Sequence, residues 1–374
     1  MNTSKLLRTI ISIMLLAVLL TACSGAPAVE ETDAVEEPVV EEEAVVEEEE
    51  EEAEEEEVSM VPDSVQFCTV YSTSIQYNSW DKTGHESFLR FMENPGIDIE
   101  VKELRYAEGL WGDEAEAAIR EFAESGCDIL WGHGGYNDII LNIYPDYPEV
   151  MFAEIGSGWI DGDENNYHYM YRCNDGAYLM GVLAGLLSEG TGIGAVGGYP
   201  AEDVNDAING FFAGAKSVNP DLQQKVGFVN SWYDPVLAAE VAEAQKAVGV
   251  DMLLMHAENF DVCGPDTGAM CFASYDDMSV FYPGAVIASD IATWEPAYEW
   301  ALGEWVKFKE TGEWNGGHLG FENNMFSGAC TVKLGDGIEE TLPADVLEQF
   351  NAIYEAILSG ELVPELDISE PVSD

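Results

Sequence analysis

Positive charge is scarce in this 374-residue chain: 14 Lys and Arg stand against 72 Asp and Glu, for a formal net charge of −58. Phosphate backbones are held chiefly by Lys and Arg, so nucleic acid is excluded as a partner. Apolar runs of membrane-spanning length are missing as well. The run Ile10–Leu20 falls short of the roughly 20 residues that cross about 30 Å of hydrocarbon, and no second run follows it, so the rest of the chain is expected to be soluble. Hydrolytic and redox signatures are also lacking. No HExxH or CxxC occurs, and Gly156-Ser157-Gly158 lacks the spacing of a GxSxG elbow, so nothing advertises an enzyme. The five histidines, His85, His133, His168, His256 and His318, are too scattered for a local metal site; no metal and no cofactor is expected. Gly192-Ile-Gly194-Ala-Val-Gly197 has GxGxxG spacing, but a dinucleotide fingerprint needs a strand before the glycines and a helix opening at them. Here a helix precedes and the glycines flank the strand itself, so dinucleotide binding is rejected.

What is present begins with a leader. Lys5 and Arg8 precede the apolar run, and Leu20-Thr21-Ala22-Cys23 follows it in register. Residues 1–22 read as a signal peptide ending in a sequence that resembles a bacterial lipobox, with Cys23 as the lipidated residue. Lipidation would anchor the protein to the cell membrane on its extracytoplasmic side. Residues 23–63 read as an acidic, disordered stalk: residues 30–57 alone carry 18 acids and no base, and like charges keep such a segment extended. The remainder is acidic too, which we read as a solvated surface.

From Ser64 onward short apolar runs alternate with helical periodicity. Strand signals at Val65–Tyr71, Ile97–Val101, Asp128–Trp131 and Val150–Ile155 are followed, after a helix at Ala177–Leu187, by others at Ile193–Val196, Val226–Val229, Met252–Met255 and Val286–Ala288. Strands separated by helices imply βαβ units and parallel sheets. The expected fold is therefore α/β in two lobes, residues 64–173 plus 291–320 and residues 174–290 plus 321–366. Three chain crossings are expected near Cys173, near Ala288–Ala292 and near Gly317–Phe321. Of the six remaining cysteines, Cys263 and Cys271 close a short turn-rich loop and are the pair expected to bridge; Cys68 and Cys127, in apolar strand-like runs, are expected as buried free thiols.

Aromatic and polar residues cluster just beyond the strand ends, where open parallel sheets bind ligands. The candidate ligand-binding residues are Tyr77, Trp80 and Asp81; Tyr136 and Asn137; Trp232; His256 and Glu258; and Asp277. Indole and phenol faces stack on flat rings, while Asp, Glu, His and Asn read polar edges.

Gly210-Phe-Phe-Ala-Gly-Ala-Lys-Ser-Val-Asn-Pro220, Asn230-Ser-Trp-Tyr-Asp-Pro235, Tyr178-Leu-Met-Gly-Val-Leu-Ala184 and Pro283-Gly-Ala-Val-Ile-Ala-Ser289, together with the lipobox, resemble the basic membrane protein (Bmp) family. The resemblance covers most of residues 64–362. It implies a substrate-binding lipoprotein of an ABC importer, with a two-lobed periplasmic-binding-protein fold of the ribose-receptor type, that closes on a purine nucleoside or nucleobase and passes it to a permease. The family's Asp-x-Ser-Phe-Asn loop falls on Tyr77-Asn78-Ser79-Trp80-Asp81, so Trp80 takes the stacking position, while Tyr77 and Asp81 depart from the pattern. The expected function is thus a monomeric, membrane-tethered receptor without catalysis. A receptor for a sugar or another small polar nutrient on the same fold is the alternative, and a surface hydrolase is a third reading.

Overall fold

A computed structural model describes residues 61–156, 163–316 and 320–374 of the chain. The leader, Cys23 and nearly all of the acidic segment lie outside the described residues, as do Ser157, Gly158, His318 and part of the third expected crossing.

Two six-stranded sheets organise the molecule. The first has the order β13-β7-β6-β5-β2-β4, built from β2 (Phe67–Tyr71), β4 (Arg105–Glu108), β5 (Ile129–His133), β6 (Met151–Gly156), β7 (Asn166–Tyr171) and β13 (Gly320–Asn323), all parallel. The second has the order β14-β12-β11-β10-β8-β9, from β8 (Gly192–Gly197), β9 (Gln223–Phe228), β10 (Val250–Met255), β11 (Met270–Ala273), β12 (Val286–Ala292) and β14 (Cys330–Leu334). Only β14 runs antiparallel. A short parallel pair, β1 (Ser64–Val65) with β3 (Glu100–Val101), stands beside the first sheet. Helices α1 (Ser79–Glu93), α2 (Gly112–Glu124), α3 (Asn137–Ile143) and α7 (Glu295–Thr311) flank the first sheet; α4 (Asn174–Leu187), α5 (Glu202–Val218), α6 (Pro235–Lys246) and α8 (Ala344–Leu358) flank the second. We call the two layers lobe 1 and lobe 2. Strands such as β2 and β8 are buried along their whole length, as parallel strands covered on both faces must be.

The glycines of the family-like stretches have a packing reason. A Cβ on Gly181 of α4 would lie 2.0 Å from the Phe211 carbonyl oxygen, and one on Gly214 of α5 would lie 2.0 Å from that of Tyr178. Backbones that meet so closely exclude any side chain, and α4 with α5 forms the spine of lobe 2.

The chain crosses between the lobes after β7, after β12 and between Asn323 and Cys330. Phe321–Asn323, assigned to lobe 2 from the sequence, pair with β7 in lobe 1, so the third crossing follows β13 rather than preceding it. The crossings are bound to one another. Arg172 N–H donates to the Asn323 carbonyl at 2.8 Å, Thr293 N–H to Ala329 at 2.9 Å, and Met325 N–H to the Asp175 carboxylate at 2.9 Å.

All six cysteines among the described residues are paired: Cys68 with Cys127, Cys173 with Cys330 and Cys263 with Cys271. The last pair agrees with the sequence reading. The expectation of free thiols at Cys68 and Cys127 is corrected, because β2 and β5 are adjacent strands and bring their Cα atoms to 5.9 Å. Cys173 and Cys330 join the first crossing to the end of the third.

No helix among the described residues is long and apolar enough to cross a membrane.

Candidate functional site

At the carboxyl ends of the strands the two lobes face one another across a cavity of about 460 Å³, within the range of small-molecule sites. Lobe 1 lines it with Ser72, Thr73, Asn78, Trp80, Trp111, Gly134, Gly135, Asn137 and Ile155; lobe 2 with Gly198, Glu202, Asp203, Trp232, His256, Ala257, Glu258 and Tyr275.

Trp80 occupies the centre. It stands in the first turn of α1, which opens because Asn78 accepts from the Asp81 N–H and caps the helix. Four rings surround the indole: Trp294 at 4.9 Å, Tyr275 at 5.0 Å, His133 at 5.2 Å and Tyr171 at 5.3 Å between centroids. Three of these are edge contacts that fix the plane of the indole, and the surface they leave uncovered faces the cavity. Trp111 is fixed by an indole N–H donated to the Ser72 carbonyl at 2.8 Å. On the other side Trp232 packs on Tyr199 at 4.8 Å.

The polar groups are preorganised by burial. His256 is held at 2.7 Å from the Tyr275 hydroxyl by its Nε2, and burial pushes its pKa down to about 4, so the imidazole is neutral at neutral pH. Burial pushes the Glu258 carboxyl up to about 6, against a hydrogen bond from the Ser79 backbone that pulls it down. That bond, Ser79 N–H to Glu258 Oε1 at 2.9 Å, crosses the cleft. So do Lys82 with Asp276 at 2.5 Å and Asn78 Nδ2 with the Trp232 carbonyl at 3.4 Å. The lobes are latched together at the N-terminus of α1.

Five of the residues singled out from the sequence, Trp80, Asn137, Trp232, His256 and Glu258, come together on the cavity wall. The other four are elsewhere. Tyr77 is 65% exposed in the turn before α1, outside the cap that aims Trp80 inward. Asp81 lies fully buried beneath the wall, where Oδ2 accepts from Thr73 N–H at 2.7 Å and from the Ser72 and Thr73 hydroxyls; it shapes the lining loop and does not reach the cavity. Tyr136 is buried behind Trp111, with its hydroxyl donating to the Leu110 carbonyl. Asp277 caps a short 3₁₀ turn through Ser279 and pairs with Lys333 of β14, so its carboxylate is spent on structure away from the cavity. Trp111, Glu202, Asp203 and Tyr275 line the cavity but were missing from the sequence-derived set.

Two parallel-sheet lobes, three crossings and one cleft at the strand ends, walled by fixed aromatic rings and polar groups, are the architecture of a substrate-binding protein of the periplasmic-binding-protein fold. The family model for Bmp, described as ABC transporter substrate-binding protein PnrA-like, matches residues 65–318, and the chain belongs to that family. Its family and fold are those of substrate-binding proteins, not of enzymes. A purine-binding protein of Brucella abortus is 33% identical over 190 residues, 50% of this chain and 54% of that protein. A protein of Haloferax volcanii named for ABC-transporter glucose binding is 29% identical over 263 residues, 70% of this chain and 64% of that protein. The chain thus matches between about half and two thirds of these relatives' lengths. Among solved structures, an ABC transporter solute-binding protein of Conexibacter woesei superposes with a TM-score of 0.60 at 22% identity, covering 82% of this chain and 100% of that one. One of Aeropyrum pernix does so at 0.63 and 16%, covering 81% and 94%. These two likenesses bear on the fold alone.

Proposed function

We propose that this substrate-binding protein takes a purine nucleoside or nucleobase. The observation that carries the reading is the braced Trp80 indole on the wall of a cleft of about 460 Å³, ringed by Asn, Glu and His side chains suited to the edge atoms of a heteroaromatic ring. An indole held in one plane by its neighbours stacks on a flat ligand without losing side-chain entropy on binding. The relative named as purine-binding supports the same reading.

The protein works tethered outside the cytoplasm through a lipid on Cys23, as a monomer, and hands its ligand to an ABC permease. The leader with its lipobox-like end supports the tether, and membership of an importer family supports the partner. The lobes close about the bound crossings, with Glu258–Ser79 and Lys82–Asp276 forming once they meet; closure is driven by differential affinity of the ligand for the closed form.

A sugar is the second reading, supported by the relative named for glucose binding and by the ability of an indole to pack on a pyranose. Titration calorimetry with adenosine, adenine, guanosine and glucose separates the two. A purine is expected to bind and glucose to give no heat; binding of glucose with none of the purines would replace the first reading by the second.

A further inference from the structure

The cleft is strongly one-sided in charge. Among the described residues that line it, Glu202, Asp203 and Glu258 are acidic and none is Lys or Arg. Lys82, a nearby cation, is committed to Asp276 across the cleft. The hydroxyl protons of Ser72 and Thr73 are already given to Asp81, which leaves oxygen lone pairs for an occupant. One of the two Asn78 amide N–H groups is given to the Trp232 carbonyl, and the Trp111 N–H is given to Ser72. Meanwhile Glu202 Oε2 in lobe 2 and Asn137 Oδ1 in lobe 1 are buried acceptors with no hydrogen-bond partner among the described residues.

A buried acceptor without a donor is costly, and a buried carboxylate oxygen more so. Both atoms belong to residues that line the cavity, one on each lobe. A negatively charged occupant would meet the carboxylates at short range in a site shielded from water, where like charges are weakly screened.

We propose that this cleft is a charge filter, selecting a neutral or protonated ring system and rejecting anionic forms of the same ring. The inference rests on the reading of the cleft as the ligand site and narrows it. Purines with amino or ring N–H groups are taken, while phosphorylated nucleosides and anionic oxopurines are refused. Glu202 is the specificity-determining residue, and the carboxylates of Asp203 and Glu258 strengthen the same field.

The test compares ligands that share a ring and differ in charge. By calorimetry on the purified protein, adenosine is expected to bind at least 100-fold more tightly than AMP, and adenine at least 100-fold more tightly than urate. Glu202→Gln keeps the side-chain shape and removes the charge, and is expected to reduce the adenosine-to-AMP ratio at least tenfold. Glu202→Lys is expected to reduce it further, a gain of AMP binding that misfolding cannot imitate. AMP or urate bound within tenfold of its neutral counterpart by the unaltered protein, or a ratio unmoved in both variants, overturns the filter while leaving the purine reading intact. If no purine binds but glucose does, and glucose 6-phosphate does not, the purine reading fails and the filter stands; glucose and glucose 6-phosphate bound alike overturn both.

Discussion

Across the cleft, lobe 1 presents two indoles with neutral hydroxyl and amide groups and no carboxylate, whereas lobe 2 presents all three carboxylates, an imidazole, the phenol of Tyr275 and the indole of Trp232. The difference follows from how each lobe fixes its side chains. On lobe 1 the loop after β2 is cinched by Asp81 from below and leads into the capped start of α1, which sets the plane of Trp80. On lobe 2 the strand ends carry short segments, His256–Glu258 after β10 and Glu202–Asp203 after β8, whose acids are buried enough to be felt by an occupant. One lobe supplies a face on which to stack and the other supplies charge that reads the edge. Affinity should therefore respond mainly to lobe 1 and discrimination mainly to lobe 2.

The sharpest way to break that comparison is to remove the stacking face. Trp80→Ala is expected to weaken binding of the preferred ligand about 5- to 150-fold, because base–aromatic stacking contributes about 1–3 kcal/mol and each 1.4 kcal/mol is about tenfold in affinity. Trp232→Ala, at a residue that is 39% exposed on lobe 2, is expected to cost less than about fivefold. Trp80→Phe retains a face and should recover most of the loss, which separates stacking from general damage to the aromatic cluster. Equal losses at Trp80 and Trp232, measured by calorimetry with unchanged melting temperatures, would remove the assigned asymmetry.

The family resemblance, the α/β class and the position of the cleft were legible because buried parallel strands read as apolar runs, and the polar residues that follow them fall where such sheets bind ligands. Trp111 stayed hidden because β4, Arg105–Glu108, alternates half-buried and exposed residues and gives no apolar run; a strand that is missed conceals its loop. In the same way β7 reads Asn-Tyr-His-Tyr-Met-Tyr, with too few aliphatic residues to announce a buried strand. Glu202 and Asp203 were legible in principle, since they follow β8 by the same strand-end rule, but as the first residues of α5 they look in sequence like ordinary first-turn acids of a helix. The pairing of Cys68 with Cys127 required knowing that β2 and β5 are neighbours, and six cysteines admit 15 connectivities. Asp81 and Asp277 show the remaining limit. A carboxylate beside an aromatic residue looks alike in sequence whether its oxygens face a cavity or cap a loop.

Asp81 sharpens the comparison from the structural side of lobe 1. Burial raises its carboxyl from 3.8 to about 6, against hydrogen bonds from Thr73 and Ser72 that pull it down. Between about pH 4 and pH 6 the folded protein therefore keeps a proton that the unfolded chain has released, so this group makes stability fall as pH rises through that window. Asp81→Asn keeps one acceptor for the Thr73 and Ser72 donors but leaves an amide N–H at the site of Oδ1, which has no partner among the described residues. It is expected to be less stable than the parent near pH 4 and to close or reverse that gap by pH 7, a relative change of about 1–3 kcal/mol. Chemical denaturation at pH 4, 5, 6 and 7 reads it, and parallel stability profiles for the two proteins would show that Asp81 titrates in the folded protein where it does in the unfolded chain.

The smallest expected effect is at Asp277, where the sequence offers a ligand contact and the structure offers a cap. Its carboxylate accepts from the Ser279 N–H at 3.1 Å and pairs with Lys333, and it does not line the cavity. Asp277→Ala removes a turn cap and a half-exposed ion pair, together about 0.5–2 kcal/mol of stability. Ligand affinity is expected to stay within about twofold, since the altered atoms neither touch the occupant nor hold a residue that does. Because Asp276, the next residue, reaches Lys82 on lobe 1, Asp276→Ala is the informative neighbour: it opens one arm of the latch and should weaken binding about two- to fivefold, through an exposed-pair contribution below about 1 kcal/mol. A larger loss at Asp277 than at Asp276 would mean that the loop after β11 turns its other carboxylate inward when a ligand is bound.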